Sequence, residues 1–176
     1  MIQHILVPLD GSDLAESVFP HVLAMAQALN AKVSLLHVIE RKDSGWQGAV
    51  DPLEWHVKKT QMQNYIENRA DDLQQKGIKI NFDIKEGNVA ENIINYANEE
   101  GTDLIILSSH GQSGLSNWNV SSVVQKVMMG VACSLLIVRA QEEKTTSVEY
   151  KNLFVGLDCS PQAEFILPLA SSLAGY

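Results

Sequence analysis

Two short stretches of the chain hold the residues best suited to bind or react with a ligand: Pro8-Leu9-Asp10-Gly11-Ser12-Asp13, and SSHGQSGLSNWNVSS from Ser108 to Ser122. Both are small, polar and glycine-bearing. In the longer one, Gly111 and Gly114 permit positive φ and close approach of a ligand to the backbone. Ser121 and Ser122 fall at the first turn of a following helix, where unpaired N–H groups and the helix dipole favour an anion. His110 adds a donor suited to a phosphate or a ribose. The same composition also makes a plain turn with a serine cap, and the loop alone does not separate the two uses. Asp10 has two readings as well. It can accept from a base amine or ribose hydroxyl, or hold Mg2+ through water; equally, it can close an Asx-turn before Gly11.

Several other chemistries lack their pattern. There is no GxxxxGK[ST] and no GxGxxG after the first strand. Ser113 stands in the wrong place for a nucleophile elbow. Histidines 4, 21, 37, 56 and 110 have no metal-ligand spacing. His21 and His37 read as helix-surface and strand residues. Cys133 and Cys159 form no CxxC, and Cys133 reads as a small buried residue ahead of a strand. Trp46, Trp55 and Trp118 fall in or beside loops, with Trp118 expected to pack on the neighbouring helix.

The elements that must position these loops follow from periodicity. HILVPL (His4 to Leu9), KVSLLHVI (Lys32 to Ile39), KINFDIK (Lys79 to Lys85), DLIILS (Asp103 to Ser108) and SLLIVRA (Ser134 to Ala140) read as strands. Between them lie helical patterns: one from Ser12 carrying Ala15, Val18, Val22, Met25 and Leu29 on one face, and one from Leu53 to Lys76 stopped by Gly77. A third opens at Asn88 with Glu91 three residues on, and a fourth carries Val120, Val123, Val124, Val127 and Met128. Glu40 to Pro52 reads as a loop. The β-α alternation predicts an open five-stranded parallel sheet with helices on both faces. In such a sheet, ligands bind outside the carboxyl ends of the strands where strand order reverses. With the first strand central, the loops after strands one and four flank that point, and they are the two glycine-bearing ones.

Composition narrows the class further. The chain has 176 residues, 45% of them hydrophobic and 19% charged, which suits a folded domain with a real core. A formal charge of -8 argues against nucleic acid, whose binding rests on Lys and Arg, and against an anionic membrane surface. No apolar run has the length of a membrane span, and MIQHILVPLD lacks the zones of a signal peptide. The expectation is a cytoplasmic protein with reduced cysteines.

Past Ala140 the composition changes. Residues 141–149 read as a polar linker, and residues 150–176 repeat the beginning of the chain. At a shift of 148 residues, Leu6 to Ser12 lies over Phe154 to Ser160, and Ala15, Glu16, Pro20 and Ala26 match Ala163, Glu164, Pro168 and Ala174. The expectation is one complete domain, 1–140, followed by the first β-α of a second, truncated repeat. A lone unit of that kind cannot bury its faces. The run NLFVGL is expected to be ordered only when paired with a sheet edge or another chain.

The motifs HILVPLDGS, VSLLHVIE, the SHG turn after the fourth strand and CSLLIVR resemble the universal stress protein family over Met1 to about Arg139, resuming at Asn152. That resemblance implies an adenine nucleotide alpha hydrolase-like sheet of order 3-2-1-4-5 and dimers that often form through the last strand; the expectation here is a homodimer through that strand or through the C-terminal tail. Family members that bind ATP carry Gly, two residues, Gly, nine residues, then Gly followed by Ser or Thr. Here those glycine positions are Ser108, Gly111 and Ser121, with Ser122 following: the spacing is intact and two glycines are serines. By the resemblance, Pro8, Leu9, Asp10 and Val38 line the adenine and ribose, and Leu107, Ser108, His110 and Gly111 follow the ribose and phosphates. Ser121, Ser122 and Val123 then face the phosphates. Ser108 is a mild change, since a serine hydroxyl at a strand end can face a ribose or solvent. Ser121 is compatible if its φ is negative and costs on the order of 1 kcal/mol if its φ is positive.

Three functions compete at this stage. The first is a stress protein in which ATP, with or without Mg2+ near Asp10, acts as ligand or switch, with at most slow hydrolysis. The second is a nucleotide-free homodimeric adaptor of the same fold, and the third an ATP-hydrolysing enzyme of the wider fold. PLDGSD matches the loop of the third class poorly.

Overall fold

Each apolar run of Val, Ile and Leu becomes a strand of one parallel sheet. The computed structural model describes residues 2–40, 52–111, 120–139 and 146–175. Within them, β1 (His4–Leu9), β2 (Lys32–Ile39), β3 (Ile80–Glu86), β4 (Leu104–Ser108) and β5 (Ser134–Val138) lie in the order β3-β2-β1-β4-β5. All four neighbouring pairs are parallel, with Leu9 opposite His37 and Ile5 opposite Leu104. This is the 3-2-1-4-5 order that the family resemblance implies.

The sheet is covered on both sides because strand side chains alternate. Ile5, Val7 and Leu9 point into one core with α2 (Phe19–Leu29) and α3 (Pro52–Gln75), where Val22, Ala26, Ile66, Ala70 and Leu73 are buried. Leu6, Leu36, Ile105 and Leu107 point into the other with α4 (Val89–Glu99) and α5 (Ser122–Gly130). Asn88 caps α4 by accepting from the Glu91 amide at 3.2 Å, and Gly77 ends the turn after α3 at φ +83.

The first helix departs from the expected single run. It is split into α1 (Asp13–Glu16) and α2, with Ser17 capping the first piece and Pro20 at the start of the second. Pro20 cannot donate to the Glu16 carbonyl, and its ring would clash with that group in a continuous helix. An ion pair from Arg69 Nε to Glu16 Oε1 at 2.9 Å ties α1 to α3.

α6 (Pro161–Glu164) and α7 (Ile166–Ala174) form, but residues 152–157 join no strand and are exposed, although their sequence copies β1. Most of the loop expected between Glu40 and Pro52 lies outside the described residues, as do Trp46, Ser113, Gly114, Trp118 and the start of the linker. Trp55 sits in the first turn of α3, beside that loop.

Candidate functional site

β1 is flanked by β2 on one side and β4 on the other, so the chain leaves the sheet in opposite directions on either side of the β1/β4 boundary. The crevice outside this boundary is where a parallel sheet receives ligands. The Asp10 loop and the Gly111 loop meet there.

Asp10 makes the Asx-turn: its Oδ1 accepts from the Ser12 amide at 2.9 Å and the Ser12 hydroxyl at 2.6 Å. Ser12 in turn caps α1, its Oγ accepting from the Ala15 amide at 3.1 Å. Gly11 supplies the positive φ, +83, that the turn needs. Gly111 is required by Asp10 itself: a Cβ on Gly111 would stand 2.0 Å from Asp10 Oδ2. The two loops are therefore interlocked, and the glycine that sequence reasoning assigned to ligand approach first makes room for a carboxylate.

His37 holds the same corner from β2. Its Nδ1 lies 2.8 Å from the Leu9 carbonyl oxygen, which can only accept, so Nδ1 carries the proton. Burial lowers the His37 pKa and outweighs the raising effects of the Leu9 hydrogen bond and Asp10, so the ring is neutral at pH 7. Sequence reading took His37 for an ordinary strand residue. Its position beside Val38 at the end of a strand next to β1 was the available signal.

On the β4 side, the backbone of Ser109 ties the loop down at both ends. Its amide donates to the Val138 carbonyl at 2.7 Å, and its carbonyl accepts from the Ser121 amide at 2.9 Å. Ser109 stands at no glycine position of the ATP-binding pattern, and these two bonds are made by its main chain. The Ser109 hydroxyl meets His110 Nδ1 at 2.9 Å. Ser108 is buried, and its Oγ lies 3.5 Å from the Ser17 hydroxyl. The His110 amide nitrogen lies at the same distance, 3.5 Å, from this hydroxyl.

Ser121 is the N-cap of α5 at φ -59 and ψ 155, with its Oγ accepting from the Val124 amide at 3.3 Å. Its φ is negative, so serine carries no left-handed strain where the ATP-binding pattern has glycine. The cap uses the hydroxyl to satisfy one of the orphan amides of the first turn. The amides of Ser122 and Val123 have no acceptor among the described residues. They stand at the positive end of a nine-residue helix.

Pro8 and Val38 are half-buried at the strand ends, while Leu9 and Leu107 are buried in opposite cores. Cys133 is half-buried, and desolvation raises its thiol pKa, away from a reactive thiolate. The described residues contain no group of three His, Cys, Asp or Glu side chains placed to hold a metal ion. An Mg2+ at Asp10 would meet one carboxylate whose Oδ1 already accepts two hydrogen bonds, so its other ligands would be phosphate and water. No described helix is long and apolar enough to cross a membrane.

An open parallel sheet with two polar loops at its switch point defines a mononucleotide-type α/β domain. The universal stress protein family model matches residues 1–139, and the chain belongs to that family. It is 32% identical over 149 residues to universal stress protein YxiE of Bacillus subtilis, covering 79% of this chain and all of that one. Universal stress protein MJ0577 of Methanocaldococcus jannaschii is 30% identical over 155 residues. The solved MJ0577 structure superposes with a TM-score of 0.71, covering 81% of this chain and 99% of its own. A family protein from Arabidopsis thaliana, solved with AMP bound, shares the fold at 15% identity and a TM-score of 0.59, covering 80% of this chain and 93% of its own.

Proposed function

We propose that this stress protein binds an adenine nucleotide, ATP first among them, in the crevice between the β1 and β4 loops, and that the nucleotide acts as ligand or switch. The observation that carries the proposal is the pair of amides on Ser122 and Val123 in the first turn of α5, which meet no acceptor among the described residues. Such amides are the common cradle for a phosphate. Pro8, Leu9, Asp10 and Val38 would receive the adenine and ribose, and Leu107, His110 and Gly111 the ribose and first phosphate. Ser108 would contribute its backbone. Ser121 keeps the cap that holds the amides in place. The Arabidopsis relative solved with AMP makes the adenine nucleotides the first ligands to test.

Neither loop carries Lys or Arg to stabilise charge on a transferring phosphoryl group. The nucleotide is accordingly read as a ligand and not as a rapidly turned-over substrate. A homodimer is part of the same reading: β5 is an edge strand among the described residues, and Ile137 on it and Met128 and Met129 on α5 are exposed. A homodimer through β5 would cover them.

The test is to purify the full chain, denature it and identify what is released, then titrate the refolded protein with ATP. Adenine nucleotide near one per chain, or saturable ATP binding, is the expected result. No released nucleotide together with no binding at about 1 mM ATP, a free energy weaker than about -4 kcal/mol, would leave the nucleotide-free adaptor as the reading.

A further inference from the structure

The inner face of α3 is set by Ile66 and Leu73, both buried against the sheet. Trp55 precedes Ile66 by about three full helical turns and Leu73 by about five, so the three side chains leave the helix in nearly one direction. Two contacts mark where the sheet ends beneath this face. Met62 Sδ lies 3.8 Å from the position a Cβ on Gly11 would take, just past the end of β1. Lys59 Nζ pairs at 3.1 Å with Glu86, the last residue of β3, and Glu86 stands in register with Ile39, the last residue of β2. Trp55 lies one turn beyond Lys59 and two beyond Met62, roughly 6 and 10 Å further along the axis. At that height β1, β2 and β3 have all ended. Helical side chains also lean toward the N-terminus of their helix, which carries the indole further over the strand ends.

Exposure agrees with this placement. Among residues 52–61, Trp55 is half-buried and all the others are exposed. Lys58 stands near enough to His37 for its charge to oppose protonation of that ring, and His37 is bonded to the Leu9 carbonyl. The start of α3 therefore stands over the corner of β1 and β2, which is the end of the crevice given to the adenine and ribose. The described parts of the Asp10 and Gly111 loops carry no Phe, Tyr or Trp. A flat aromatic side chain above the strand ends is a stacking platform, since every base offers a π-face.

We propose, on the reading that the crevice binds an adenine nucleotide, that Trp55 stacks on the purine ring and that α3 forms the wall of the site at its base end. The base end then recognises a flat ring by its face and contributes alike to ATP and AMP, while the phosphates are left to the Ser122 and Val123 amides.

Calorimetric titration of the full chain with ATP and with AMP tests this in the wild type and in Trp55→Ala, Trp55→Phe and Trp118→Ala. Trp55→Ala should weaken both nucleotides by the same factor, roughly tenfold, with most of the affinity kept in Trp55→Phe. In a chain carrying Trp46→Phe and Trp118→Phe, which leaves Trp55 as its one tryptophan, ATP should quench the indole emission along the binding curve. Wild-type affinities in Trp55→Ala, a loss found in Trp118→Ala instead, or unchanged Trp55 emission at saturation would overturn the assignment and leave nucleotide binding itself standing. A wild-type chain that binds neither nucleotide would overturn both.

Discussion

The β1 unit and the tail unit pair the same local geometry with opposite environments. An aspartate, a positive-φ residue and a capping serine build the same turn at Asp10–Ser12 and at Asp158–Ser160, the first at the sheet's switch point and the second in solvent. The turn is therefore written locally, by side chain-to-backbone hydrogen bonds spanning two or three residues. The strand is not: HILVPL is a strand because β2 and β4 lie on either side of it, and NLFVGL without such neighbours is none. For the site, this means that the Asp10 loop comes preformed, whereas its place against Gly111 is a property of the assembled sheet.

The sharpest way to break the comparison is to place one substitution in both units. Val7 and Val155 are counterparts. Val7→Asp buries a carboxylate without a partner and is expected to cost about 3–5 kcal/mol or more, a large share of a domain's stability. Val155→Asp is expected to shift the main denaturation midpoint by less than about 0.5 kcal/mol. Equal losses in chemical denaturation would show that the tail belongs to the same cooperative unit.

Acid separates the units next. His4 is buried, with Nδ1 donating to the Glu100 carbonyl and Nε2 bonded to Ser34 Oγ, and burial lowers its pKa below the ordinary 6.5, as it does for His37. The unfolded chain then binds more protons than the folded one just below pH 6.5, so stability is full above that pH and falls as the pH drops toward the folded pKa values. Each histidine contributes a slope of at most about 1.4 kcal/mol per pH unit. The tail carries Asn152 at the position of His4. His4→Asn should flatten the slope between pH 6.5 and 5 in denaturation titrations, whatever it does to stability at neutral pH.

Removing the caps gives a smaller contrast. Ser12→Ala should cost about 1 kcal/mol of global stability. Ser160→Ala should speed amide exchange at Ala163 and leave the global midpoint in place. Smallest is the loop residue itself: Cys159→Gly relieves a side chain at φ +65 and should steady the tail turn by up to about 1 kcal/mol, read as slower exchange at Ser160.

The sequence disclosed most of the sheet because Val, Ile and Leu runs bounded by Gly, Asn and Asp are strong local signals. β2 was expected at Lys32 to Ile39 and is found there. Strand order came from resemblance, since no periodicity specifies which strands are neighbours. The split at Pro20 was legible in principle from its missing N–H. What could not be read was long-range: that Gly111 makes room for Asp10, that Ser109 ties β5 to α5 through its main chain, and that His37 fixes the Leu9 carbonyl. The question posed by Ser121 was one of backbone angle. Its residue type left that angle open, and the negative φ of the N-cap answers it.

The most direct measurement follows the backbone amides of the full chain by NMR as ATP is added. Binding in the crevice predicts saturable shifts at Ser122 and Val123, with smaller ones at Gly111 and Val38, and at least about a tenfold loss of affinity, about 1.4 kcal/mol, in Gly111→Ala. Saturable shifts confined to other residues, or no shift at millimolar ATP in the folded protein, would contradict it.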